Sequence, residues 1–148
     1  MTTPKLGRKT ANRNRTIRNL VTSLVLYEKV RTTDAKAHAL VPVAERLITT
    51  TRKGTLDARR RAKALLFDAN AVAKLFEDFP QRMGDRTSGF TRITKLAPRP
   101  GDGAEMSQVE LILTPLEDVI AAETNTKVSV RKNKSASTEK TEKVESAS

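Results

Sequence analysis

Cysteine is absent from all 148 residues, so no disulfide and no thiolate metal site holds this chain, and its fold must come from packing or from a partner. Tryptophan is also absent, and the aromatics are limited to Tyr27, Phe67, Phe76, Phe79 and Phe90. A core drawn from this stock is aliphatic and modest. Phe76 and Phe79 fall in a helical apolar stripe, which leaves too few exposed rings for a sheet that stacks bases of a single strand. The one histidine, His38, sits amid Ala and Lys in a helical stretch with no thiol to pair with, so a solvated or capping role is expected of it rather than general-base work. No run of about 18 apolar residues is present, and the N-terminus lacks the apolar stretch of a secretory signal; the expected location is the cytosol. No phosphate-binding Gly-rich loop, nucleotide fingerprint or zinc spacing occurs, so no cofactor is expected.

Charge is abundant, and it is one-sided. The net charge is +11. From Glu117 onward 6 basic and 6 acidic residues cancel, while residues 1–116 carry 22 basic against 11 acidic. The excess therefore lies on the part that folds. A compact body with such a surface repels itself, and the usual reason to keep it is a polyanionic partner, above all nucleic acid.

Apolar spacing outlines the elements. Ile17, Leu20, Val21, Leu24 and Val25 make one stripe, predicting a first helix from Thr16. "YEKVRTT" is short and β-branched, predicting a strand with Val30 inward. Thr33 or Asp34 is a cap for a second helix carrying Ala37, Leu40, Val41, Ala44, Leu47 and Ile48, which ends before Gly54. Pro42 removes one backbone bond there, so the expectation is either a kink or a separate turn over "DAKAHAL". A third helix follows a cap at Thr55 or Asp57, with Ala58, Ala62, Leu65 and Leu66 apolar. A fourth places Val72, Leu75, Phe76 and Phe79 on one face and is expected to stop at Pro80. "FTRITKL" and "SQVELIL" have strand composition, are joined by the turn-rich "APRPGDGAEM", and alternate at Val109, Leu111 and Leu113. A lone hairpin is marginal in water, so it should recruit "EKVRT" as a third strand and pack on the helices. The predicted class is α+β, about four helices on a small three-stranded sheet. The expected organisation is a basic arm over 1–15, a globular RNA-binding domain over 16–116 and a low-complexity tail over 117–148. In that tail "LEDVIAAE" offers a short helical turn, and the rest has almost nothing to bury, so disorder is expected in solution.

Three basic patches stand out. Lys5, Arg8, Lys9, Arg13, Arg15 and Arg18 are six cations with no acid in the first 18 residues. Such an arm follows a phosphate backbone, with Gly7 adding freedom and Asn12, Asn14 and Asn19 able to donate to phosphate and sugar; the bland alternative is a solubilising terminus. Arg52, Lys53, Arg59, Arg60, Arg61 and Lys63 are opposed only by Asp57, and Arg59, Arg60 and Lys63 lie close together on a helix, away from Ala58, Ala62 and Leu65. The alternative there is an ordinary solvated face. The third patch, Arg82, Arg86, Arg92, Lys95 and Arg99, spans a loop and strand where Gly84, Ser88 and Gly89 let the backbone approach a phosphate. Patches on three elements suit a multi-helical RNA better than one DNA groove. Acidic pairs are weak candidates for a metal-dependent ribonuclease: Glu77 with Asp78 reads as helix-end polarity, Asp102 with Glu105 as a turn, and Glu110 as a strand residue without supporting ligands. A nucleoid-type DNA-binding protein is the rival that net charge alone permits.

The order of "KLGRKTANR" into "RNLVTSL", then "KVRTTDAKAHALVPVAERLIT", "NAVAKLF" and "SGFTRITKLAPRPGDGAEMSQVELI" resembles the bacterial large-subunit ribosomal protein seventeen family over nearly all of residues 5–113. That resemblance implies a non-enzymatic constituent of the large subunit, bound to large-subunit ribosomal RNA near the peptide exit with other ribosomal proteins as neighbours, and with no membrane or small-molecule substrate. It also implies helices against a three-stranded sheet. Carried over by matching motif, it implies RNA contacts at Lys5, Gly7, Arg8, Arg13, Arg18 and Asn19, and at Gly89, Thr91 and Arg92. The chain departs from the family in beginning "MTTP" where an Arg-His pair is common, and in having Asn12 where His is more usual.

Overall fold

The computed structural model describes residues 4–84 and 86–114. The expected helical turn in "LEDVIAAE" and the tail from 117 lie outside them. The elements run α1 (Thr10–Tyr27), β1 (Lys29–Thr33), α2 (Asp34–Thr51), α3 (Leu56–Leu65), α4 (Ala69–Arg82), β2 (Thr91–Leu96) and β3 (Met106–Leu111). This is the α+β class expected. The sheet is antiparallel in the order β1-β3-β2, so the strand after α1 pairs with the last strand of the chain.

Alternation decides which sheet face is buried. Val30 pairs with Val109 and Val109 with Ile93, while Thr32 pairs with Ser107, and this row set faces the helices. Val109 and Ser107 are fully buried. The hydroxyl of Ser107 donates to Asp34 Oδ1 at 2.7 Å, which satisfies a polar group that would otherwise be costly inside. Against that face Ile17, Val21, Leu24 and Val25 of α1, Leu40, Leu47 and Ile48 of α2, and Leu75 and Phe79 of α4 form one cluster with Phe90.

Three local expectations are corrected. α1 begins at Thr10, not Thr16, because Ala11, Arg13 and Arg15 are good helix formers and extend a helix already nucleated by its buried stripe. α2 runs unbroken through Pro42, so "DAKAHAL" is the first part of that helix and not a separate turn. Pro42 and His38 both lie on the exposed side, so the carbonyl that loses its partner faces water. α4 likewise passes Pro80 and ends at Arg82, because Phe79, Arg82 and Met83 beyond or beside the proline are all buried and their packing offsets the lost bond. The cap at Thr55 is as expected, its side chain accepting from the Ala58 N–H at 3.2 Å.

Where α1 ends, Glu28 takes a left-handed backbone, φ 62°, and its N–H closes the helix on Leu24 O at 2.8 Å. Its carboxylate accepts two bonds from Arg82, at 2.6 and 2.9 Å, and pairs with Lys74 at 2.8 Å. Those hydrogen bonds, led by Arg82, lower its pKa to about 2 against desolvation. Arg82 is thus a structural residue at 5% exposure, not a surface cation of the loop patch.

Candidate nucleic-acid interface

The arm is folded more tightly than its composition implies. Arg8 N–H donates to Lys5 O at 3.2 Å, with Leu6 and Gly7 both in the left-handed region (φ 56° and 59°), the signature of a type I′ turn. Leu6 packs on the core and so anchors that turn. Gly7 is there because the turn requires its positive φ. Arg8 reaches back to Thr16 Oγ1 at 3.0 Å, while Lys5, Lys9, Arg15 and Asn19 are exposed. The first turn of α1 contains no acid and its N-cap, Lys9, makes no side-chain cap. These cations crowd the positive end of the helix dipole, an arrangement that an approaching anion relieves.

Arg18 has a different role from its neighbours. Its Nε donates to Leu65 O at 2.9 Å, its terminal nitrogen to Ala64 O at 2.7 Å, and its guanidinium lies 4.2 Å from the centre of the Phe67 ring. It therefore caps the C-terminus of α3, taking up carbonyls that the helix leaves unpaired. Arg13, Asn14 and Arg18 line a groove of about 360 Å³ with Val43 and Leu65. Arg46 and Arg61 border an adjoining groove on the same Val43 and Leu65, so cations from α1, α2 and α3 surround one apolar strip. Arg46 was not singled out from sequence, since one Arg in an amphipathic helix carries no signal of its own.

On α3, Arg59, Arg60 and Lys63 do share a face, lining a second groove of about 360 Å³ floored by Leu56, Val72 and Ala73. Arg59 lies 5.6 Å from the Phe76 ring centre, so that ring face is already taken. Arg61 is neutralised by Asp57 at 2.8 Å.

The third patch does not converge. Thr91 gives both its N–H and its hydroxyl to Glu45 Oε1, at 2.9 and 2.7 Å, which pins β2 to α2. Arg86 donates to Gly89 O at 3.1 Å, and its own carbonyl accepts from Arg52 at 2.7 Å. Gly89 holds φ 69° with open space about it. Arg92 and Lys95 are three residues apart in a strand and so point to opposite sheet faces. Arg99 is paired with Asp102, whose carboxyl it holds down to about 2.

The carboxylates considered for a metal site are likewise engaged elsewhere. Asp102 is held by Arg99, and Glu110 lies between Lys29 and Arg92, each at 3.9 Å. His38 pairs with Asp34 at 3.5 Å one turn away. Among the described residues no group of three or more His, Asp or Glu is placed to hold a metal ion, and no helix is long and apolar enough to cross a membrane.

The profile of the family described as Ribosomal protein L17 matches residues 16–112, from the middle of α1 to the end of the sheet. The chain belongs to that family. Among its relatives, the Large ribosomal subunit protein bL17 of Chlorobium limicola is 48% identical over 108 residues, 73% of this chain and 72% of that protein. The protein of the same name from Caldanaerobacter subterraneus is 45% identical over 108 residues and is covered over 96% of its length. That of Chlorobaculum parvum is 44% identical over 139 residues, 92% of this chain and 90% of the relative. The L17 family match covers the sheet, α2 to α4 and the part of α1 from Thr16 on, including the left-handed residue Glu28 and its partner Arg82.

Proposed function

We propose that this chain is a structural, non-enzymatic constituent of the large ribosomal subunit, cytoplasmic within the ribosome, which binds and stabilises large-subunit ribosomal RNA and lies against neighbouring ribosomal proteins. The single observation that carries the reading is the family match through the whole folded body. The surface supports it: Lys5, Arg8, Lys9 and Arg15 at the arm and Arg59, Arg60 and Lys63 on α3 are exposed, while on α3 only Arg61 is paired with a carboxylate, that of Asp57. In this reading the RNA-facing groups are Lys5, Gly7, Arg8, Lys9, Arg13, Arg15 and Asn19 at the arm, Arg59, Arg60 and Lys63 on α3, and Arg86, Gly89 and Arg92 near β2. Lys95 lies in the row of Thr32 and Ser107 that turns toward the helices, so it meets RNA only from the exposed β2 edge. Arg18 and Thr91 act indirectly, one by holding α3 and the other by holding β2. The division proposed is a basic arm over 1–15, whose end from Thr10 is the start of α1, a body over 16–116 and a tail over 117–148.

Phosphate and shape recognition supply most of the affinity, so binding should weaken with salt at a slope of about −0.7 to −0.9 per neutralised phosphate. The test is sedimentation of a gentle lysate through a sucrose gradient, with the chain followed by mass spectrometry. Stoichiometric travel with the large subunit through a moderate salt wash is the expected result. A chain found with free protein, or with DNA as the nucleoid reading requires, refutes it. Cleavage of labelled RNA with Mg²⁺, abolished by EDTA and by Glu110→Gln, would favour the ribonuclease instead.

A further inference from the structure

The outward face of the sheet carries a charge pattern that the arm and α3 do not share. The register places Lys29, Glu110 and Arg92 in one row across the three strands, and Arg31, Gln108 and Thr94 in the next. All four edge-strand residues of these rows are exposed. Glu110 on the central strand sits between the two cations of its row, 3.9 Å from each, and spaces them without neutralising both. In the next row Arg31 Nε donates to Gln108 Oε1 at 3.1 Å, which fixes the plane of the guanidinium. Among the described residues no carboxylate pairs with Arg31, and no aromatic ring lies in these two rows.

We propose that this sheet face is a second RNA site, built for the minor groove of double-stranded, A-form RNA. The inference rests on the reading of the chain as an RNA-binding ribosomal protein, and adds where and in what form RNA is met. Strands lie about 4.8 Å apart, so Lys29 and Arg92 stand on the order of 10 Å from one another across β3. The minor groove of an RNA duplex is wide and shallow, bordered by phosphates and floored with 2′-hydroxyls. The edge cations meet the phosphate borders, the Gln108 amide on the central strand reaches the 2′-hydroxyls between them, and the Thr94 hydroxyl lies on the β2 edge beside Arg92. The minor groove of B-form DNA, about 6 Å wide and without 2′-hydroxyls, does not admit three strands. A single strand finds no ring to stack on.

The experiment measures binding of the full chain to an RNA hairpin duplex, the same sequence as duplex DNA, and an unpaired RNA, over a range of salt. Three chains are compared: the wild type, the double variant Arg31→Gln/Arg92→Gln, and Glu110→Gln. The expected result is preference for duplex RNA. In the double variant the salt slope should fall by about 1.8 and affinity near 0.15 M salt by about thirtyfold, as for two lost phosphate contacts. Glu110→Gln should bind more tightly, since it removes the only acid in these rows; a general loss of folding would move it the other way. An unchanged slope in the double variant, weaker binding by Glu110→Gln, or equal affinity for DNA overturns the proposal while leaving RNA binding by the arm and α3 intact. A wild-type chain that binds no RNA overturns the wider reading as well.

Discussion

Replacing Glu28 by Gln removes the carboxylate that ties the end of α1 to α4, while keeping its size and its left-handed backbone. Arg82 then stays buried at 5% exposure, having lost a charged partner at 2.6 and 2.9 Å. The depression of the Glu28 pKa from 4.5 to about 2 corresponds to about 3 kcal/mol at 1.36 kcal/mol for each tenfold in protons. A carboxylate side chain that keeps a quarter of its exposure loses part of this to solvent screening, which leaves about 2 kcal/mol. Because the folded pKa is depressed, this stability is fully present above about pH 4.5 and is lost as pH falls toward 2. Urea unfolding followed by circular dichroism, repeated from pH 7 down to pH 2.5, measures it. Glu28→Gln should be about 2 kcal/mol less stable at pH 7, and the gap from wild type should close as the pH falls. A variant less than about 0.5 kcal/mol destabilised, or a gap that stays constant with pH, would mean that the Glu28 carboxylate does not stabilise the fold through Arg82.

Arg18→Ala should destabilise the free protein by about 2 kcal/mol in thermal or urea unfolding, since it removes two charge-assisted bonds to α3 carbonyls and a ring contact; a loss of RNA affinity with unchanged stability would contradict that. Thr55→Ala removes the cap of α3 and should cost about 1 kcal/mol, read by urea unfolding. Glu45→Ala frees the Thr91 N–H and hydroxyl and should cost about 1 to 2 kcal/mol, with faster amide exchange at the start of β2. Lys5, Lys9 and Arg15, exposed at the arm, changed together to Ala should lower the salt slope of RNA binding by about 2 to 3 without lowering the unfolding midpoint.

The elements were legible because their signals are local. Period 3.6 at Ile17, Val21 and Leu24 and period 2 at Val109 and Leu111 are properties of neighbouring positions. The boundaries at Thr10 and Pro80 were not legible: the polar residues before Thr16 carry no apolar stripe and form helix only by extension of a nucleated one, while at Pro80 the packing of Phe79, Arg82 and Met83 outweighs the proline. The cationic patches were visible as composition, yet composition does not tell a free guanidinium from one already engaged. Arg18 and Arg82 look like any other Arg in a basic protein. Their carbonyl and carboxylate partners lie 46 to 54 residues away in sequence. Lys29 and Arg31 alternate with Val30 and Thr32 in a strand expected to bury Val30, so the period of two already places both on the outer face.

The order of the motifs along the chain is enough to identify the family, and charge and apolar period, written residue by residue, point to the class of partner and to the number and kind of elements. The fold alone sets which cations are spent inside the protein. It also decided that Lys29, Arg31 and Arg92 share one surface, because that depends on β3 lying between β1 and β2, a pairing between segments some 80 residues apart. Charge is additive along a chain, but a binding surface exists only once packing has chosen which charges remain in water.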